Sequence, residues 1–252
     1  MRKPKMILFD YGQTLLDEKN FDAVKGYEAV LRLAVVNPSG VTPAGLAAMS
    51  RTLDREIGRF NPSTMEQYRL EIQNISCSRY LYEYYGLLFD KDLPYMESVF
   101  WDVAAPGEPT PHVEELLAFL DERNIRTGVI SNIAFGGEAL RNRIDRSLPG
   151  HHFEFILASC EYVFRKPSPL LFELAARKAA LKPEEIWYCG DNIFCDVKGA
   201  YEYGAGPVWY RGAADSERRK WTVRGQEQMP DCECLIIDDW RELIEHPLIR
   251  ED

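Results

Sequence analysis

The chain has 252 residues, enough for one sizeable domain or for a core with a smaller insert. Hydrophobic residues make up 46 % of the sequence, which suffices for a buried core, and 28 % charged residues favour solubility. The formal net charge of −10 argues against nucleic acid and anionic membranes as partners, because an acidic chain repels both.

The first predicted element is a strand at residues 6–10, close to the N-terminus. Its apolar run is too short for the core of a signal peptide, and no small-residue cleavage site follows it. No run of roughly 18 apolar residues occurs anywhere in the sequence, so no membrane span is predicted. We therefore expect a cytoplasmic protein in which the six cysteines are free thiols.

The next stretch, residues 17–105, lacks the alternating pattern of strands. Its helix-compatible segments cover residues 21–35, 43–58, 64–85 and 94–103. We interpret this stretch as an all-helical cap inserted after the first strand, over the edge of a sheet. Arg51, Arg55 and Arg59 recur along one helical face and are candidates for contacting a substrate, although a solvated face is the plainer interpretation.

From about residue 111 onward, short apolar runs alternate with helical patterns. The runs are typical of strands that are buried on both faces, and they cover residues 125–131, 153–157, 186–190, 207–210 and 234–237. Apolar residues recur with helical spacing between these runs, at Val113, Leu116, Leu117 and Leu120 and at Phe172, Ala175, Ala176 and Ala179.

This alternation predicts an α/β fold, with a Rossmann-like parallel sheet sandwiched by helices and joined by right-handed crossovers. We assign residues 1–16 and 106–252 to this core. Ligands of such sheets bind at the carboxyl ends of the strands. Polar clusters that directly follow the predicted strands are therefore the candidates for a functional site.

Four polar clusters lie at the carboxyl ends of predicted strands, at residues 9–15, 131–132, 165–167 and 190–192, the last followed by Asp196. Each cluster by itself is weak evidence for a functional site, because an Asp after a strand, for example, is usually a turn residue or a helix cap. Together they supply a carboxylate nucleophile, a hydroxyl donor, a cation and further carboxylates. That set suits the transfer of a phosphoryl group, and Asp10 with Asp191 offers the hard oxygen ligands that fit Mg²⁺.

The order and spacing of these clusters resemble those of the haloacid dehalogenase superfamily, in its form with a helical cap. The matching segments are FDYGQTLL, VISN, FRKPSPLLF and YCGDNIFCDVKGAYEYG, and the resemblance covers roughly residues 5–16 and 108–240. It implies that Asp10 is the nucleophile and that Lys166 orients it and stabilises charge. It also implies that Ser131, the backbone of Asn132 and Thr14 bind the transferring phosphoryl group.

The resemblance further implies a Mg²⁺ site formed by Asp10, the backbone carbonyl of Gly12 and Asp191, with Asp196 binding the metal's water or positioning Lys166. Phosphatases of the superfamily usually carry a second Asp at the place of Gly12, where it protonates the leaving group and later activates water. Positioned proton transfer is worth about 10²–10⁴-fold in rate. If no other group supplies the proton, alkyl phosphates should be turned over far more slowly than aryl phosphates.

Three alternatives remain beside a phosphatase that acts on a small phosphorylated metabolite through an aspartyl-phosphate on Asp10. Haloacid dehalogenases of the superfamily carry an aromatic residue at the second position, whereas this chain has Tyr11 one residue earlier. Phosphonate-cleaving relatives use a lysine of the cap, for which Lys19 and Lys25 are the candidates. The last alternative is a catalytically degenerate module that only binds phosphate.

Overall fold

The computed structural model describes residues 1–58, 70–213 and 229–250. Its strands, in chain order, are β1 (Met6–Phe9), β2 (Leu16–Glu18), β3 (Ala34–Val36), β4 (Leu88–Phe89), β5 (Gly107–Pro109), β6 (Arg126–Ser131), β7 (Phe153–Ala158), β8 (Ile186–Gly190), β9 (Gly206–Tyr210) and β10 (Leu235–Ile237). Its α-helices are α1 (Ala23–Leu31), α2 (Pro43–Ile57), α3 (Asn74–Tyr84), α4 (Leu93–Ala104), α5 (Val113–Glu122), α6 (Gly137–Ser147), α7 (Ser159–Tyr162), α8 (Pro169–Ala179), α9 (Gly199–Tyr203), α10 (Trp240–Ile244) and α11 (Pro247–Arg250). A short 3₁₀ helix (Pro183–Glu185) precedes β8, and a π-helical turn (Ile193–Lys198) follows it.

In the described residues, six parallel strands form the main sheet, in the order β10-β9-β8-β1-β6-β7. The chain leaves β1 on one side for β6 and β7 and returns on the other side for β8. The strand order therefore reverses at β1, and open α/β sheets bind ligands in the crevice outside such a switch point. The parallel α/β fold predicted from the sequence is confirmed.

Strand β1 shows why the sheet needs helices on both faces. Successive side chains of a strand point to opposite faces, and all four residues of β1 are at most 1 % exposed. Ile7 and Phe9 join one apolar cluster, whereas Met6 and Leu8 join the other. The predicted apolar faces of α5 and α8 cover these two clusters, and their buried residues include all of the predicted positions.

Residues between β2 and β5 form an insert with an apolar cluster of its own, which includes Tyr27, Leu81 and Phe100. β2 and β5 pair antiparallel and carry the chain out of the main sheet and back. The insert is mainly helical, but the expectation of an all-helical insert misses the antiparallel pair of β3 and β4. Both strands are too short to show a period of two in the sequence.

Helix α6 was not predicted from the sequence. Its buried residues are Ala139, Leu140, Ile144 and the side chain of Arg143, so its apolar stripe is narrow and interrupted by a charge. Arg143 is only 4 % exposed, and its guanidinium lies over the ring of Trp101 with 4.5 Å between the Cζ atom and the ring centroid. Tertiary contacts with α4 therefore stabilise this helix more than its own pattern does.

Within the part of the chain that the structure describes, no helix combines the length and the apolar character that a transmembrane span requires. The helices that cover the sheet are short, and each carries polar residues on its outer face. The longest described helix, α2, has 15 residues and buries only Leu46 and Ala47.

Candidate active site

Asp10 directly follows β1 at the carboxyl edge of the sheet. Its backbone N–H donates to the carbonyl oxygen of Cys189 with a distance of 2.8 Å, which extends the pairing of β1 with β8 by one residue. Its side chain is 14 % exposed, and the carboxylate accepts a hydrogen bond of 2.8 Å from Lys166 Nζ. The carboxylate is therefore held in place on one side and accessible on the other.

Lys166 is fully buried, and its amine contacts groups from four different segments. Nζ donates to Asp10 Oδ1 at 2.8 Å, to Asp196 Oδ1 at 2.7 Å and to the carbonyl oxygen of Ile130 at 3.0 Å. It also lies in close contact with the hydroxyl of Tyr188. Burial lowers the pKa of this amine, but the carboxylates of Asp10 and Asp196 raise it more, so Lys166 stays charged.

The side chain of Asn132 holds the backbone of Lys166. Its Oδ1 accepts from the Lys166 N–H at 2.7 Å, and its Nδ2 donates to the Lys166 carbonyl at 2.8 Å. The sequence analysis assigned only the backbone of Asn132 to phosphoryl binding, so this contact of the side chain was missed. Because the oxygen and the nitrogen of the Asn132 side chain are both bonded to the backbone of Lys166, that backbone is fixed relative to the end of β6.

Ser131 and Thr14, the two hydroxyls assigned to phosphoryl binding, are both buried. Ser131 ends β6 and is 3 % exposed. Thr14 follows β1 in the same loop as Asp10, and its Oγ1 is buried without a hydrogen-bond partner in the described residues. A buried hydroxyl without a partner costs free energy, and a bound ligand or ion that uses it is one explanation for such an atom.

Asp191 and Asp196 complete the acidic side of the site. Carboxylate oxygens of Asp10, Asp191 and Asp196 lie within 4.8 Å of one another. Asp191 directly follows β8, and Asp196 lies in the π-helical turn, where its Oδ2 accepts from the Asn192 N–H at 2.9 Å. Burial raises the pKa of the Asp196 carboxyl, whereas Lys166 lowers it.

The donor set of this cluster fits a divalent cation. Three carboxylates face one ammonium group, so the cluster attracts further positive charge, and hard oxygen ligands are those that Mg²⁺ prefers. Both oxygens of Asp196 already accept hydrogen bonds, from Lys166 and from the Asn192 backbone. This arrangement favours Asp10 and Asp191 as direct ligands and Asp196 as the residue that positions Lys166.

Gly12 lies in the loop after β1, and its backbone φ is outside the left-handed region that favours glycine. In the part of the chain that the structure describes, a Cβ atom added to Gly12 would have a single neighbour within 4 Å beyond the adjacent residues, namely Oε2 of Glu18 at 3.9 Å. A side chain at this position is therefore compatible with the backbone and with the space around it.

Two polar groups near the site were not singled out in the sequence. Tyr188, in the middle of β8, donates its hydroxyl to the Ile130 carbonyl at 2.8 Å and contacts Lys166. Glu18, at the end of β2, is 3 % exposed and accepts from Trp101 Nε1 at 2.9 Å. The sequence pattern indicates no functional role for either residue, because Tyr188 fits a buried strand residue and Glu18 fits a surface charge.

The candidate residues of the cap lie apart from this cluster or outside the described residues. Arg51 and Arg55 are exposed on α2, where Arg55 donates to Thr52 Oγ1 at 3.0 Å, and Arg59 lies outside the described residues. The side chains of Lys19 and Lys25 are 52 % and 69 % exposed, and each lies near an aspartate of its own segment. The geometry brings none of these described cations to Asp10.

Comparison with known proteins gives a family and several relatives. Residues 4–204 match the model of the haloacid dehalogenase-like hydrolase family. A glyceraldehyde 3-phosphate phosphatase of Methanopyrus kandleri is 31 % identical over 146 residues, which are 57 % of this chain and 58 % of that protein. A phosphoserine phosphatase of Thermus thermophilus is 32 % identical over 99 residues, 39 % of each chain. The chain thus spans less than two thirds of the length of these curated relatives.

Solved structures resemble the chain over nearly its whole length. A 2-haloacid dehalogenase from Pseudomonas syringae aligns with a TM-score of 0.63 and 22 % identity, covering 96 % of this chain and 97 % of that one. A phosphatase from Thermococcus onnurineus aligns with a TM-score of 0.59 and 16 % identity, covering 95 % and 96 %. At these identities the likeness concerns the fold, which dehalogenases and phosphatases share.

Proposed function

We propose that this chain, which belongs to the haloacid dehalogenase-like hydrolase family, is a magnesium-dependent phosphatase that acts on a small phosphorylated metabolite. One observation carries the proposal. Lys166 joins Asp10 and Asp196 at 2.8 and 2.7 Å, and the carboxylates of Asp10, Asp191 and Asp196 lie within 4.8 Å of one another. A carboxylate nucleophile, a buried cation and hard oxygen ligands thus meet at the switch point of the sheet.

In the proposed reaction, Asp10 attacks the phosphorus atom of the substrate and forms an aspartyl-phosphate as the alcohol leaves. Water then hydrolyses this intermediate and regenerates the carboxylate. Lys166 orients Asp10 through its hydrogen bond to Oδ1 and offsets charge on the phosphoryl oxygens. Ser131, the backbone of Asn132 and the unpartnered hydroxyl of Thr14 would bind the phosphoryl group.

The proposed metal site consists of Asp10, the carbonyl of Gly12 and Asp191, with Asp196 on the side of Lys166. A bound Mg²⁺ ion would supply positive charge against the phosphoryl oxygens. The compact carboxylate cluster supports this assignment over a metal-free dehalogenase site. The side chain of Tyr11 supports it as well, because it is 1 % exposed and packs edge-on against Trp101, with 5.6 Å between ring centroids.

The phosphonate-cleaving alternative has weak support from the described residues. It requires a lysine amine of the cap that is desolvated, so that its pKa falls and it reacts with a carbonyl group. The side chains of Lys19 and Lys25 are both more than half exposed, so neither amine is desolvated, and each lies near a carboxylate. These environments are those of surface charges.

We further propose that residues 17–105 act as a cap over the site of a core formed by residues 1–16 and 106–252. The separate apolar cluster of the insert and the antiparallel ribbon of β2 and β5 at its base support this division. The six cysteines all lie in the described residues and none is in a disulfide, which suits a reducing compartment such as the cytoplasm.

A substrate screen tests the proposed function. The release of inorganic phosphate would be measured from D-glyceraldehyde 3-phosphate, O-phosphoserine, glycerol 3-phosphate and p-nitrophenyl phosphate, with Mg²⁺ and with a chelator. The first two substrates follow from the names of the relatives. We expect turnover of at least one of them that the chelator abolishes. No turnover with retained Mg²⁺ or phosphate affinity would indicate a binding module, and full activity in the chelator would exclude the metal-dependent mechanism.

A further inference from the structure

The structure places a carboxylate beside the position where the expected acid is missing. Gly12 has no side chain, and the space that its Cβ would enter is bordered by Glu18 Oε2, 3.9 Å away. Among the described residues, no other atom beyond those of the adjacent residues lies within 4 Å of that point. The chain therefore has a glycine where related phosphatases have an aspartate, and it brings a glutamate to the same space from the next strand.

Glu18 is held rigidly, as an acid–base group should be. Its other carboxylate oxygen, Oε1, accepts from Trp101 Nε1 at 2.9 Å and from the Tyr11 hydroxyl at 3.3 Å, and lies 3.5 Å from the Arg143 guanidinium. The backbone of Glu18 pairs with Gly107 in the ribbon of β2 and β5. These contacts fix Oε1 from one side and direct Oε2 toward Gly12, which is the kind of support that positions a catalytic group.

The neighbouring Asp17 is not an equivalent candidate. Successive side chains of a strand point to opposite faces, and Asp17 lies on the other face of β2. Its two oxygens accept from Gln13 Nε2 at 2.9 Å and from Lys19 Nζ at 3.3 Å. Asp17 therefore belongs to the outer surface of the ribbon, whereas the buried Glu18 faces the loop of Asp10.

We propose that Glu18 is the general acid and general base of this enzyme, an inference that rests on the proposed phosphatase function. As Asp10 attacks phosphorus, the bond from phosphorus to the leaving oxygen breaks, and protonated Glu18 gives its proton to that oxygen, which releases an alcohol. The resulting Glu18 carboxylate then takes a proton from water, whose oxygen attacks phosphorus. The bond from phosphorus to Asp10 breaks, which releases inorganic phosphate and restores both side chains.

Leaving groups of different basicity separate the two steps. The ratio kcat/KM reports the first step, which requires an acid for an alkyl phosphate but not for p-nitrophenyl phosphate, because nitrophenolate is a stable anion. We expect Glu18→Gln to lower kcat/KM by about 10²–10⁴-fold for the fastest alkyl phosphate of the screen and by less than about tenfold for p-nitrophenyl phosphate. The variant should also release a burst of one nitrophenolate per enzyme, because the second step lacks its base.

Asp102→Asn is the matched control. Asp102 Oδ1 lies 3.3 Å from the same Arg143 guanidinium, but its side chain is 41 % exposed and has no place beside Gly12. Removing this carboxylate should leave both substrates near their wild-type rates. An equal loss in Asp102→Asn and Glu18→Gln would mean that Arg143 and its packing are responsible, and would overturn the assignment of Glu18.

The single variant Gly12→Asp and the wild-type enzyme give tests that do not depend on the folding of a Glu18 variant. In the wild-type background, the added carboxylate should not improve alkyl relative to aryl turnover, because an acid is already present. Combined with Glu18→Gln, it should restore most of the lost alkyl turnover. A wild-type enzyme that turns over p-nitrophenyl phosphate but is about 10²-fold or more slower on every alkyl phosphate would overturn the role of Glu18 and leave the phosphatase standing. No turnover of any phosphate would overturn the proposed function itself.

Discussion

Asp10 is the residue on which the proposed chemistry depends most directly. We expect Asp10→Asn to abolish turnover, because an amide cannot form the acyl-phosphate that a carboxylate forms. The fold should survive, since the side chain is partly exposed at a strand end and its Lys166 contact can be kept by the amide oxygen. Activity and circular dichroism of the variant test this expectation. Beryllium fluoride should form a complex with the wild type that the variant lacks, and near-normal turnover by the variant would identify another nucleophile.

We expect Tyr188 to be a positioning residue rather than a catalytic one. Burial raises the pKa of its hydroxyl well above the ordinary value, so it stays protonated and donates to the Ile130 carbonyl while contacting Lys166. Tyr188→Phe should lower kcat by about tenfold with little change in KM, and unfolding free energy by about 1 kcal/mol. Tyr203→Phe is the control, because Tyr203 also packs on Phe172 but bonds Glu173. Equal effects of the two variants on kcat would contradict the assigned role.

Helices α1 and α4 approach each other so closely that one position requires glycine. A Cβ atom on Gly26 would lie 2.7 Å from the ring of Phe100 and 2.9 Å from the Ala104 methyl group. Gly26→Ala should therefore destabilise the protein by about 1–3 kcal/mol despite the better helix propensity of alanine. Urea unfolding would measure the change. Gly45→Ala on α2 is the control and should be far milder, because its nearest neighbour is a Val41 methyl group at 3.2 Å.

The segment that begins at residue 70 is bonded to the core beside Lys166. Glu71 accepts from Ser159 Oγ at 2.9 Å and is in close ionic contact with Arg165, while its N–H donates to the Val163 carbonyl. The Glu71 side chain is 1 % exposed and that of Arg165 is 19 % exposed. This link couples the insert to the segment that carries Lys166.

Removing the buried Glu71 carboxylate should lower the free energy of unfolding much more than removing a carboxylate on the surface. We expect Glu71→Ala to lower the unfolding free energy by about 2–3 kcal/mol, somewhat less than for a fully buried pair. Glu28→Ala removes the partner of Arg32 on the exposed face of α1 and should change it by less than about 0.5 kcal/mol. Denaturant titrations of both variants would measure these changes in the free energy of unfolding. Indistinguishable values would show that the link contributes no stability.

For the whole molecule, binding of Mg²⁺ should appear as added stability. A ligand that binds only the folded state stabilises it by about 2.7 kcal/mol at one hundred times its Kd. The melting temperature of the wild type should therefore rise with Mg²⁺, and Asp191→Asn should remove this rise together with the activity. Asp238→Asn, which changes an exposed partner of Arg211, should retain both. A full Mg²⁺ effect in Asp191→Asn would place the ion elsewhere.

The overall architecture could be predicted from the sequence because its signals are local. Four adjacent apolar residues in β1 predict a strand buried on both faces, and the spacing of apolar residues in α5 predicts the face it buries. The polar clusters were predicted to converge for a general reason: carboxyl ends of parallel strands share one edge of the sheet. The structure does bring Asp10, Asp191 and Asp196 within 4.8 Å of one another, with Lys166 bonded to two of them.

Other features were decided only by the tertiary structure, because they depend on contacts between segments far apart in the chain. The orientation of Glu18 toward Gly12 depends on Trp101, which donates to it at 2.9 Å from 83 residues away. The contact of Tyr188 with Lys166 depends on β8 lying beside β1 and near the end of β6. No period in the sequence encodes such contacts, since they arise when separately predicted elements pack together.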